Sequence, residues 1–146
     1  MSESKPVEAT EMKQHALLKT ASLLSILIMT LHLAADTARA RIGTPEAGGS
    51  TIVALPVLAI WLYGTLVLDE KRSGHVVMLI GSLLAIMIPA VHVIGPAGPF
   101  TGTITRSGDP YVFVWTLHAI GVTGIFSLIL AAQGLWNLRR RRPQSG

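Results

Sequence analysis

Four apolar stretches, at 16–35, 51–68, 76–95 and 111–136, constrain this chain more than any other feature. Each is bounded by charged residues or by Gly and Pro. A helix needs about 20 apolar residues to cross a hydrocarbon core, whereas a barrel strand needs only about 10. The runs match the helical length, and none alternates apolar with polar residues as a half-buried strand does. In hydrocarbon each backbone N–H and C=O must be bonded within the structure, which favours helices. The expectation is an all-α membrane protein, a four-transmembrane-helix bundle running up-down-up-down. It divides into a polar segment at 1–15, a transmembrane domain at 16–138 and a basic tail at 139–146.

Composition agrees. Half the residues are hydrophobic and 14% are charged, against about 25% charged in an average soluble domain. The net charge of +4 does not indicate nucleic acid, because the basic residues lie at the ends of the apolar runs. They read as topology signals. Lys5, Lys13, Lys19, Lys71, Arg72 and Arg139 to Arg142 fall on one side of a four-span arrangement; Arg39, Arg41 and Arg106 fall on the other. The positive-inside rule therefore places both termini in the cytoplasm, with a bacterial-type inner membrane as the expected location. Loops 36–50 and 96–110 would then face outward. A processing alternative stays open: Ala38 and Ala40 follow the first run with signal-peptidase spacing, and cleavage there would leave three spans beginning at Arg41.

Chain punctuation fits the same frame. Lys19 lies near the start of the first run, where its stem can snorkel to the headgroups. Pro56 and Pro89 are placed to kink the second and third spans. Pro110 suits the first position of the fourth helix. Trp115, Tyr111 and Trp136 fall near interfaces, as belt residues do.

The chemistry on offer is narrow. There is no cysteine, which excludes disulfides, thiolate metal sites and thiol nucleophiles. No GxxxxGK[ST], HExxH or GxSxG pattern is present. Histidines are the exception. His32 and His92 lie near the outward ends of spans one and three, and His118 about two turns into span four. Helical rise puts His32 and His92 within a few ångströms in depth and His118 about 4–6 Å deeper. Steps of three and four residues give inward stripes: Ser22, Ser25, Met29, His32 and Asp36; then His75, Met78, Ser82, Ala85, Pro89 and His92; then Tyr111, Trp115 and His118. His32, Asp36, His92 and His118 form a candidate metal set, since imidazole suits Zn, Cu and Fe. The same histidines form a candidate haem b site. Asp36 would orient His32 or act as a ligand, and Asp109 lies near the same rim. His75, at the cytoplasmic rim, is too distant to join them. Against this stands a plain alternative: His32 and His92 as interfacial residues, with Asp36 paired to Arg39.

The function expected is that of a non-enzymatic accessory or assembly subunit, packed in the lipid bilayer against a larger membrane complex or as a homo-oligomer. The alternatives are a haem- or metal-binding protein and a small channel or transporter. Loops this short hold no catalytic set.

Overall fold

The computed structural model describes residues 4–43, 48–94 and 110–140, with side chains at 10, 12–35, 37, 53–91 and 114–140. Among the described residues there are four helices: α1 (Ser4–Gly43), α2 (Gly48–Leu66), α3 (Arg72–Ile94) and α4 (Pro110–Arg140). Three carry stretches long and apolar enough to cross a membrane: Met12–Ala35, Arg72–Val91 and Val114–Arg140. The first has 24 residues, so it covers about 36 Å at the helical rise, against about 30 Å of hydrocarbon. The run at 51–68 is instead a shorter apolar helix, Val53–Leu66 among the described residues. Its chain turns after Leu66 through residues 67–71. Three helices of this kind suggest a membrane location.

Helix α1 extends beyond its apolar run at both ends. Neither Gly nor Pro occurs between Val7 and Ile42. The flanking residues are largely Ala, Glu, Lys, Gln, Met and Arg, which favour helix whatever their polarity. Helix α4 begins at Pro110, where a missing N–H costs nothing. It ends with Arg139 and Arg140 in its last turn, where cations complement the helix dipole.

Contacting residues show that neighbouring helices are antiparallel. Lys19 meets Asp69 while Ser22 meets Thr65 and Trp61, so α1 and α2 are opposed. Gly64 lies against Val77 and Gly81 against Trp61, which opposes α2 to α3. Along α3 and α4 the pairs are Gly121 with Pro89, Gly124 with Ala85, Ser127 with Ser82, and Gly134 with His75. His32 with Thr116 and Gln14 with Gln133 close the ring between α1 and α4. The α3–α4 contact is the most extensive, followed by α1–α4, and α2 is held less broadly.

The interior is polar for a small bundle. Ser22, Ser25, Thr65, Ser82 and Ser127 are completely buried. Large apolar side chains cover the outside of all four helices, among them Leu27, Ile60, Leu83, Val122 and Phe126. This distribution suits lipid as solvent: hydrocarbon gives apolar side chains no reason to turn inward, so small and polar residues collect between helices.

One hydrogen-bonded circuit joins α1 to α2. Trp61 Nε1 donates to Ser22 Oγ at 2.9 Å, and the Ser22 and Thr65 hydroxyls are 2.7 Å apart. Thr65 Oγ1 donates to Trp61 O at 2.9 Å. Thr65 thereby commits its proton, so Ser22 donates to Thr65. Every hydroxyl and the indole N–H is satisfied inside an apolar surround, where an unmade bond is costly.

The expected inward stripes hold for α1 and α3 at the described side chains. Ser22, Ser25, Met29 and His32 are buried, as are His75, Met78, Ser82 and Ala85. Helix α4 presents a different face. Trp115 is 73% exposed and His118 is also exposed. The residues turned inward are Leu117, Ile120, Gly124, Ser127, Ala131 and Gly134. Size decides this outcome. A Cβ at Gly124 would lie 3.1 Å from the Ala85 Cβ, so this contact admits no indole.

Candidate functional site

The outer-face set is partly in view. His32 is 3% exposed, and its Nδ1 lies 3.2 Å from Thr116 Oγ1 on α4. His118 donates from Nδ1 to its own helix, at Val114 O, over 2.8 Å. Its ring is on the exposed face. The side chains of Asp36, His92 and Tyr111 lie outside the described residues, as does Asp109. The α3–α4 pairing places the His92 backbone level with Leu117 and His118. Among the described residues, no three His, Cys, Asp or Glu side chains come together to hold a metal ion.

A second constellation lies at the opposite end of the bundle. Its parts come from α1, the 67–71 turn, α3 and α4. Lys19 Nζ donates to Asp69 Oδ2 at 2.7 Å. His15 Nε2 lies 3.2 Å from Asp69 O and 3.9 Å from Asp69 Oδ2. A carbonyl only accepts, so the His15 proton is on Nε2. His75 Nδ1 donates in the same way to Lys71 O at 3.1 Å. The two imidazole centroids are 6.4 Å apart. A chain of amides runs alongside: Asn137 Nδ2 donates to Gln14 Oε1 at 3.4 Å, and Gln14 Nε2 donates to Gln133 Oε1 at 3.1 Å.

These groups border a cleft of about 670 Å³ whose walls also include Met12, Leu18, Leu130 and Leu138. Gly134 makes room for one of its faces. A Cβ there would fall 2.6 Å from His75 Nε2, so the imidazole ring occupies the space a side chain would take. Beside the cleft, Arg140 lies 5.3 Å from the centroid of the Trp136 ring.

Asp69 is the electrostatic centre of the rim. The hydrogen bond from Lys19 holds its carboxyl below its ordinary value of 3.8, helped by the charges of Lys19 and His15 and the Glu70 N–H, and opposed by burial. A carboxylate lowered on folding stabilises the fold above its ordinary value, and that contribution is lost as pH falls through the folded value. The pair is partly exposed, with side-chain accessibilities of 37% and 14%, so its contribution is about 0.2–1 kcal/mol. Unfolding of the wild type and Asp69→Asn, followed from pH 6 to pH 3, is expected to differ at the upper end. The difference should shrink at the acid end. A gap independent of pH would show that Asp69 does not act through its charge.

From sequence alone His15 falls in the polar N-terminal segment, Lys19 at the headgroups and His75 by itself at the cytoplasmic rim. The missing signal was long-range: a lysine within one apolar run and an acid beyond the end of the next, brought level by an antiparallel hairpin.

No family model matches the chain, and no curated protein or solved structure matches it either. The fold itself defines the class: an antiparallel four-helix bundle with three helices long and apolar enough to cross a membrane.

Proposed function

We propose that this chain is a multi-pass membrane protein that works by packing, as an accessory or assembly subunit of a larger membrane complex or of an assembly of its own copies. The observation that carries this reading is the closed interior. The Trp61–Ser22–Thr65 circuit and the Ser82–Ser127 contact, at 2.9 Å, commit the central polar groups to one another. This leaves mid-bundle polarity bonded internally, which disfavours a solute path, while the outer faces offer apolar surface to lipid or to neighbouring helices. Lys13, Lys71, Arg72, Arg139 and Arg140 belong to the end that carries the rim cleft. By the positive-inside rule this is the cytoplasmic end.

A second reading is favoured by His32, a buried imidazole at the other end. It makes His32 and His92 ligands of haem b or of a Zn, Cu or Fe ion, with Asp36 in support. A three-histidine version requires His118 to leave the exposed face.

One preparation tests both. The full chain, extracted from its native membrane in mild detergent after brief cross-linking, is expected to migrate as a stoichiometric complex. A lone monomer before and after extraction would remove the packing reading. A Soret band that shifts on reduction and disappears in His92→Ala would establish haem. Stoichiometric metal without that band would support the ion, and a colourless, metal-free sample would end the second reading.

A further inference from the structure

The rim cleft holds one group that the fold positions but does not use. His75 is 6% exposed. Its Nδ1 proton is committed to Lys71 O, so in the neutral ring Nε2 carries the lone pair. Among the described residues, no hydrogen-bond donor of the protein reaches that nitrogen, and the ring lines the cleft. The ring is held almost wholly inside the bundle while this acceptor opens onto the cleft, so its donor comes from outside the chain.

The surroundings narrow the choice of donor. Lys19 and Asp69 neutralise each other at 2.7 Å, so the nearest charged pair leaves no strong preference for an anion. Glu70 also borders the cleft and disfavours one further. Met12, Leu18, Leu130 and Leu138 supply apolar wall next to the imidazole. The cleft lies where the spans end and the 67–71 turn begins, the level at which a molecule with an apolar body and a polar end comes to rest. Mixed apolar walls with a few fixed polar groups are the usual make-up of a small-molecule site.

We infer that the cleft binds the hydroxylated end of an amphiphile, with a hydroxyl donating to His75 Nε2 and the apolar body along the α1–α4 side. Two sources present this chemistry: the phenolic hydroxyl of a quinol, and the free glycerol hydroxyl of an uncharged lipid such as a diacylglycerol. Gly134 is required because a side chain there would displace the ring that accepts the bond.

The test uses the full-length chain in mild detergent, with native mass spectrometry reading bound adducts. Three probe comparisons suffice: a short-chain benzoquinol against its dimethyl ether, dioleoylglycerol against its methyl ether, and each hydroxylated probe against His75→Phe. The expected result is one adduct per chain for a hydroxylated probe, weakened about tenfold when the hydroxyl is methylated, and by a similar factor in His75→Phe. Trp115→Phe, at the opposite end of α4, should bind as the wild type does. Discrimination within the quinol pair alone identifies a quinol site; discrimination within the lipid pair alone identifies a headgroup site. Equal retention within both pairs, or no retention of either hydroxylated probe, overturns the inference. The probe comparisons need no variant, so they decide the matter even if His75→Phe fails to fold.

Discussion

Gly81→Ala is expected to destabilise the bundle by about 1–3 kcal/mol, the usual cost of forcing atoms into a packed contact. The added Cβ would fall on the indole of Trp61, against its fused ring atoms. That indole cannot retreat without cost. It is 2% exposed, and its N–H is bonded to Ser22. Moving the ring to accommodate a methyl group therefore strains the α2–α3 contact and the α1–α2 circuit together. The measurement is unfolding of the detergent-solubilised protein by a denaturing detergent, followed by tryptophan emission. Gly121→Ala is the matched control. Its added Cβ would meet Pro89 Cγ at 3.3 Å, a tight but far milder contact. If the two variants unfold alike, the Trp61–Gly81 contact does not have the role assigned to it.

Ser22→Ala should have the second large effect. It removes the acceptor of the Trp61 N–H and the donor to Thr65 in one step. Leaving a buried donor unpaired costs about 1–3 kcal/mol, more than the net contribution of the bond itself. This asymmetry gives a specific signature. Trp61→Phe also breaks the circuit, but it takes away the orphaned N–H. Adding Ser22→Ala to Trp61→Phe should therefore cost distinctly less than Ser22→Ala alone. Additive losses in the double variant would mean that the two groups act independently and that the circuit contributes little.

How much of this was legible beforehand differs by helix. Along α1 and α3, small and polar residues recur at helical spacing within otherwise aliphatic runs, so the buried faces could be read from period alone. Along α4 the same rule was applied to Tyr111, Trp115 and His118, and it selected a face on which Trp115 and His118 are exposed. Polarity was the wrong criterion there. Gly121, Gly124, Ser127, Ala131 and Gly134 lie on the side that approaches α3 and α1, because only small residues allow backbones that close. The polar segment at 1–15 carries no apolar period to mark it as helix, yet α1 begins at Ser4, because its residue types propagate a helix whatever their polarity. The rim cleft was beyond reach of local patterns. His15, Asp69, His75 and Gly134 meet only after three antiparallel registers have been set. The outer histidine set rests on Asp36 and His92, whose side chains lie outside the described residues.

The broad contact between α1 and α4 also bears on how the bundle is made. Among the four described helices these two are made first and last, and their midpoints lie roughly 100 residues apart. At about 5–20 residues per second, α1 waits roughly 5–20 seconds for its main neighbour. During that interval α2 can satisfy Ser22 through Trp61 and Thr65, but His32 has its Thr116 contact only once α4 arrives. The circle of helices closes last at the α1–α4 seam. That seam borders the rim cleft, so the cleft does not exist until synthesis of α4 is nearly complete.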